Sequence, residues 1–414
     1  MSHRQKPSDS PQGPSRGASS AAPVSGPPAA PDNEAGGLRR HFFGARPELE
    51  IDKLFRALVK FEGSDLHLKV GHVPMVRVDG VLRELNRGPV DAEEMARLAM
   101  PMVEHDERRQ RIFQDEGAVD FAYTLQVDNL WWRFRVNVLQ QLGSVGLVAR
   151  RVNNVVPDFK SLHLPESLTE LCRLNQGMIL LSGVTGSGKS TTIASMLDWV
   201  NHHYRKHVLT LEDPIEFVFS EDKCLINQRE IGSDVKDFAV GVKQAMREDP
   251  DVILLGEMRD QESFQAAIQT AETGHLVFGT IHASTAASTL GRILDLFPEG
   301  QRDAVRGSVV FNMKAIVSQR LLPSIKPEVG RVPAVEIMIF NPTVKKLILD
   351  KQDEKLIDAI RIGREEGMQD FTTSLKQLVE DELVDRPTAL EWAPNPEALK
   401  MALKGIEVRD AGIL

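Results

Sequence analysis

An α/β fold with two ordered domains is what this sequence predicts, and three observations predict it. Residues 46–152 combine helical stretches with short alternating segments, the pattern of helices laid on an antiparallel sheet. Residues 164–340 alternate apolar runs, "GMILLSG", "HVLTLED", "DVILLGE" and "HLVFGTIH", with helical stretches, the pattern of a mostly parallel sheet covered by helices. Between the first such run and the helix behind it stands "SGVTGSGKST", residues 182–191, a glycine-rich loop in the context that phosphate binding requires.

Composition sets the outer limits. With 414 residues, 42% of them hydrophobic and 26% charged, the chain can form two domains with cores of their own and reads as soluble and globular. A net charge of −9 argues against a mainly electrostatic nucleic-acid binder, so no nucleic-acid partner is expected. The two cysteines, Cys172 and Cys224, lie far apart without a CxxC, which fits a reducing cytoplasm rather than a disulfide framework or a zinc ribbon. The N-terminus has no apolar signal region, and no later run approaches the roughly 18 apolar residues of a membrane helix. Direct membrane insertion is therefore not expected, and any membrane role falls to a partner.

Taken in order, residues 1–45 are rich in Pro, Ser, Gly and Ala, too poor in large apolar side chains to offset the entropy of ordering, and predict a disordered tail. An amphipathic helix up to Phe61 opens the first domain. Strands follow at "DLHLKV" and "PMVRVDG", a charged helical segment at "EEMARLAMPMVEHDERRQRIF", and strands at "AVDFAYTL", "WWRFRVNVL" and "SVGLVARRV". Residues 153–163 read as a linker. Within 164–340 the helical stretches are "VKDFAVGVKQAMRED" and "DQESFQAAIQTAETG". From about Gly300 the pattern is mainly helical, with a short strand pair at "VPAVEIMIFNP", and residues 341–414 form a C-terminal helical region. No internal repeat is detectable.

The loop from Gly183 through Val184, Thr185, Gly186, Ser187, Gly188 and Lys189 to Ser190 fits G-x-x-x-x-G-K-[ST], with Thr191 next in the helix. From average residue usage, a chance match in a chain this long is on the order of one in a hundred, before its strand-and-helix context is counted. The glycines let backbone N–H groups converge on phosphate oxygens and the helix N-terminus adds its dipole; Lys189 can neutralise the β/γ-phosphates and Ser190 can ligate Mg²⁺. ATP and Mg²⁺ are the ligands this predicts.

Hydrolysis further needs carboxylates to organise the metal shell and to act on the attacking water. "DVILLGE" ends in Glu257, and "LTLEDPIE" presents Glu212, Asp213 and Glu216; strand ends of this kind meet at the ligand crevice of an open α/β sheet. Acidic residues after strands also serve as plain helix caps, so these gain their functional reading from the phosphate loop beside them. His275 and His282 flank "LVFGTI". A lone histidine is ordinarily structural, but His282, at the C-terminal end of that strand, is placed to sense a γ-phosphate.

Four elements thus stand in one order: "GVTGSGKST", "LTLEDPIE", "DPDVILLGEMRD" and "GHLVFGTIHASTA". This resembles the secretion-superfamily ATPases, and within them the type IV pilus retraction ATPases of the PilT/PilU family, whose Walker A, Asp box, Walker B and His box they match. "GSDLHLKVGHVPMVRVDG" and "RFRVNVLQQLGSVGLVARRV" resemble that family's PAS-like N-terminal domain, and "GREEGMQDF" its C-terminal helical region. The resemblance implies a PAS-like α+β domain, a RecA-like P-loop ATPase domain and a C-terminal helical region. It implies a homo-hexameric ATPase on the cytoplasmic side of the inner membrane, peripheral to it through the pilus machine, that powers pilus retraction and twitching motility. The platform protein of that machine, and a paralogous retraction ATPase, are its implied partners.

By the same resemblance, Gly183, Thr185, Gly186, Ser187, Gly188, Lys189, Ser190 and Thr191 hold the nucleotide. Glu212 acts on the attacking water, and Glu257 supports Mg²⁺, partly through water, together with Ser190. His282 senses the γ-phosphate, and Arg133, Arg135 and Arg150 reach the triphosphate from the N-terminal domain of the same or a neighbouring subunit. Alternating arginines also suit a solvated strand face, so each of the three retains that reading. A tetracysteine cluster, usual in assembly and secretion ATPases, is lacking, which favours retraction over extension. "TVKKLILD", residues 343–350, stands where retraction enzymes often carry "AIRNLIRE", with Lys345 and Lys346 in place of Arg and Asn. An accessory PilU-like subunit, an extension or type II secretion ATPase, and a nucleic-acid translocase are the alternative readings.

Overall fold

Side-chain alternation builds the first half of the chain. In the computed structural model, which describes residues 48–128 and 130–406, β4 (Ala118–Val127) buries every second residue, from Val119 to Val127, and turns the others outward. It pairs antiparallel with β5 (Leu130–Gln141), and β5 with β6 (Ser144–Arg151). β1 (Asp65–Lys69), β2 (Met75–Val78) and β3 (Val81–Glu84) complete a six-stranded sheet in the order β3-β2-β1-β6-β5-β4. Helices α1 (Asp52–Lys60), α2 (Ala92–Glu104) and α3 (Glu107–Glu116) carry Phe55, Met95, Leu98 and Phe113 into the core that includes Leu66, Phe134 and Leu147 of the sheet. The charged segment expected to be one helix is two, because Asp106 accepts hydrogen bonds from the N–H groups of Arg108 and Arg109 and so caps a new start. The tail expected over residues 1–45 lies outside the described residues.

Unbroken apolar runs build the second half. β7 (Gly177–Ser182) and β11 (Leu276–Ile281) are buried at all six positions and β10 (Val252–Leu255) at all four, as strands covered on both faces must be. With β8 (His207–Glu212), β9 (Leu225–Glu230), β12 (Met313–Pro323) and β13 (Arg331–Ile339) they form a seven-stranded sheet, β13-β12-β7-β11-β10-β8-β9, parallel except for the β12–β13 pair. One face packs α4 (Leu168–Cys172) and α5 (Lys189–His203). The other packs α6 (Phe238–Ala245), α7 (Gln261–Glu272), α8 (Ala286–Asp295) and α9 (Arg302–Asn312). Helices α10 (Pro342–Leu349), α11 (Leu356–Ile362), α12 (Phe371–Glu380), α13 (Arg386–Trp392) and α14 (Pro396–Ala402) follow, and the last three gather with Leu322, Val332 and Ala334 in a small core.

Two expectations change. "VPAVEIMIFNP" is one strand rather than a strand pair, and its partner is "MKAIVSQRLLP", within the region read as mainly helical. That stretch has apolar spacing compatible with either period; pairing with β7 on one side and β13 on the other decides it. "LINQRE" is the edge strand β9, whose mixed polar pattern gives little period to read. No helix of the described residues is long and apolar enough to cross a membrane.

Candidate active site

The parallel strands point their C-terminal ends one way, and that edge carries the chemistry. β7 ends at Ser182, and the loop behind it turns on Gly183, Gly186 and Gly188, with φ of 153°, 78° and 89°. At Gly183 a Cβ would come within 2.5 Å of the Gln319 carbonyl and 2.4 Å of Ser187 Oγ, so the loop tolerates no side chain there. α5 then starts with Gly188 as its N-cap and no side-chain cap on its first N–H groups. Lys189 is 8% exposed. It folds back on the loop, donating to the carbonyls of Gly183 at 2.9 Å and Val184 at 3.1 Å, and burial lowers the pKa of its ammonium against the pull of Glu257 and Glu216. Ser187 is 2% exposed and its Oγ has no hydrogen-bond partner in the chain.

Glu212 closes β8, and its Oε1 accepts from Thr210 Oγ1 at 2.6 Å and Gln228 Nε2 at 3.5 Å. Burial dominates and pushes its carboxyl up to about 7, against the opposing pull of those two donors. Glu257 follows β10 in a turn fixed by Gly256 N–H on Leu211 O at 2.8 Å, Met258 N–H on Thr280 O at 3.0 Å and Thr280 Oγ1 on Gly256 O at 2.6 Å. Its carboxylate is held from both sides, by Arg259 at 2.7 Å and by His282 Nε2 at 2.9 Å. The Arg259 hydrogen bond, with the nearby His282 and Lys189, holds it below the usual carboxylate range.

These groups surround one cavity of about 250 Å³, lined by Thr185, Gly186, Lys189, Ser190, Glu212, Glu257 and His282, and also by Asp213 and Glu216. Gly183, Ser187, Gly188 and Thr191 shape the loop and the start of α5 but do not line the cavity. His275 sits at the opposite end of β11, bonded to the Thr270 carbonyl at 3.0 Å. The three arginines are elsewhere in this chain. Arg133 pairs with Glu230 at 3.1 Å, joining the first sheet to the second, while Arg150 pairs with Asp65 at 2.8 Å and faces Arg135 across the β5–β6 ladder. Neither they nor Arg135 line the cavity.

A family model for type II/IV secretion system proteins matches residues 47–385. The type IV pilus retraction ATPase PilT of Pseudomonas aeruginosa is 40% identical over 349 residues, 84% of this chain and 99% of that one. The chain belongs to the PilT/PilU branch of the type II/IV secretion ATPases. The pilus ATPase PilU of the same organism is 33% identical, over 86% of this chain and 92% of its own. A crystal structure of the pilus retraction motor PilT with bound ADP superposes with a TM-score of 0.76 at 40% identity, covering 86% of this chain and 99% of that one.

Several neighbours of this PilT/PilU-branch site were given no role in the sequence reading, some of them inside the four motifs and some outside. Thr210 and Gln228 orient Glu212, and Arg259 pairs with Glu257 from inside the "GEMRD" run. Gln319 binds Thr192 Oγ1 at 2.8 Å and packs its amide where a Cβ of Gly188 would go. Alternation along "LTLE" places Thr210 on the same strand face as Glu212, a signal the sequence does contain. Gln228 and Gln319 act from β9 and β12, and only the sheet topology brings them in.

Proposed function

We propose that the chain is an ATP-hydrolysing motor that drives type IV pilus retraction, working as a homo-hexamer on the cytoplasmic face of the inner membrane through the platform protein of the pilus machine. The observation that carries it is the meeting of Lys189, Glu212, Glu257 and His282 around one cavity at the strand ends, in a chain that aligns with nearly all of PilT. The higher identity to PilT than to PilU supports the motor over an accessory paralogue.

The residues present fit both ligands. The glycine turns and the uncapped start of α5 offer a phosphate several backbone donors. Ser190 and Glu257 supply hard oxygens beside it, a sparse set of the kind Mg²⁺ accepts together with phosphate and water. Bound there, Mg²⁺ supplies charge neutralisation to the phosphates. Lys189 turns from the loop carbonyls to the β/γ-phosphates. Glu212, ionised, orients the attacking water and accepts its proton as the γ-phosphoryl is transferred to it, leaving ADP and phosphate. His282, tied to Glu257, reports whether the γ-phosphate is present. Arg133, Arg135 and Arg150 act on a neighbouring subunit's nucleotide, which links closure of the N-terminal domain, residues 46–152, to the ATPase domain, residues 164–340.

Retraction and extension use the same chemistry, so the test is made in the cell. Deleting the gene leaves surface pili in place and abolishes their withdrawal; loss of the pili altogether would make the chain an extension ATPase.

A further inference from the structure

β13 contributes a carboxylate that none of the four motifs contains. Glu336 is 1% exposed and stands opposite Ser318 in the β12–β13 ladder. Its Oε1 accepts from the backbone N–H of Ala286 at 2.7 Å, and the backbone N–H of Phe371 also hydrogen-bonds it. Those are the first residues of two helices: α8 begins at Ala286, directly behind the loop from His282 to Thr285, and α12 begins at Phe371. First-turn N–H groups have no partner inside their own helix, so one buried carboxylate between two helix starts satisfies both and complements both dipoles.

The surroundings extend this tie in two directions. Toward the nucleotide, Ser318 Oγ lies 2.5 Å from Ser182 Oγ, the residue before the phosphate loop, and Thr289 Oγ1 of α8 lies 3.0 Å from the same hydroxyl. The next residue of β12, Gln319, accepts from Thr192 Oγ1 in the first turn of α5, and its amide fills the space a Cβ of Gly188 would take. Away from it, Asp370, the N-cap of α12, pairs with Arg361 of α11 at 3.3 Å. Polar side chains therefore flank Glu336 on both sides, Ser318 and Ser182 toward the phosphate loop and Asp370 with Arg361 toward the C-terminal helices.

We propose that Glu336 is a positioning residue of the ATPase: by holding the starts of α8 and α12 together it fixes the His282 loop against the C-terminal helices, so that both respond to nucleotide as one body. This rests on the reading of His282 as the group beside the γ-phosphate. Glu336→Gln keeps the shape and one acceptor oxygen but replaces the other oxygen with an N–H donor.

The experiment uses the purified full chain and reads turnover and amide hydrogen exchange. In Glu336→Gln, kcat falls roughly 3- to 10-fold while KM for ATP stays within about two-fold, the signature of a misplaced group rather than a lost binding contact. Exchange quickens at the starts of both α8 and α12. Unchanged kcat, or faster exchange at only one of the two helix starts, overturns the proposal. Should the variant fail to fold, the wild-type chain decides: exchanging ADP for a non-hydrolysable ATP analogue alters protection at both starts together, and a change at α8 alone overturns it. A wild type that never hydrolyses ATP would instead refute the motor reading, while the exchange readout in Glu336→Gln would still test the tie.

Discussion

Glu212 and Glu257 are carboxylates at neighbouring strand ends with opposite electrostatics. Glu257, gripped by Arg259 and His282, stays ionised below the usual carboxylate range and suits a cation. Glu212, raised to about 7, suits proton transfer at neutral pH. Glu212→Gln should bind nucleotide normally and lose about 10²- to 10⁴-fold in kcat, and the wild-type kcat should rise with pH through about 7 as Glu212 ionises. The sign for stability is the reverse. The folded chain holds this proton up to about 7, whereas the unfolded chain releases it near 4.5, so the stabilisation from a protonated Glu212 is complete below 4.5 and is lost as pH climbs to 7. Nucleotide-free Glu212→Gln should therefore melt above wild type at pH 8 and close to it at pH 4.5; a melting difference independent of pH would remove burial as the cause. The meeting of Lys189, Glu212, Glu257 and His282 at one edge was legible because Lys189 stands in the glycine-loop pattern and the other three close or follow apolar runs. Gln319 and Glu336 were not, because their roles depend on a strand register that no local pattern encodes.

At the scale of elements, strands covered on both faces announce themselves. β7, β10 and β11 are unbroken apolar runs, and the loop behind β7 takes positive φ at three glycines. β9 and β12 were hidden because an edge strand needs no apolar face and because the spacing of β12 also suits a helix. The glycines separate structural from incidental use. Gly183→Ala, at φ of 153° with the Gln319 carbonyl 2.5 Å from the new Cβ, should lower Tm and abolish nucleotide binding. Gly307, inside α9 with open space around its Cα, should gain about 0.5–1 kcal/mol as alanine, read as a rise in Tm. Equal effects of the two substitutions would mean that the loop conformation is not what fixes the site.

For the whole molecule, two sheets of different construction divide the work. The parallel sheet assembles the phosphate loop, the carboxylates and His282 within one chain, whereas the antiparallel sheet carries the arginines on strands that the same chain turns elsewhere, with Arg133 engaged by Glu230. The order of the two sheets was readable from the change of period near residue 152, but the direction in which β5 and β6 present their arginines was not, since it depends on contacts between the sheets. Completion of the site by a neighbouring subunit is the arrangement this division favours. The most direct test is steady-state ATP hydrolysis by the purified full chain beside Lys189→Ala, with the mass of each assembly measured by light scattering. Turnover in a hexamer that disappears with Lys189, while the variant remains hexameric, is the predicted result; a well-folded wild-type hexamer without turnover would contradict an autonomous motor.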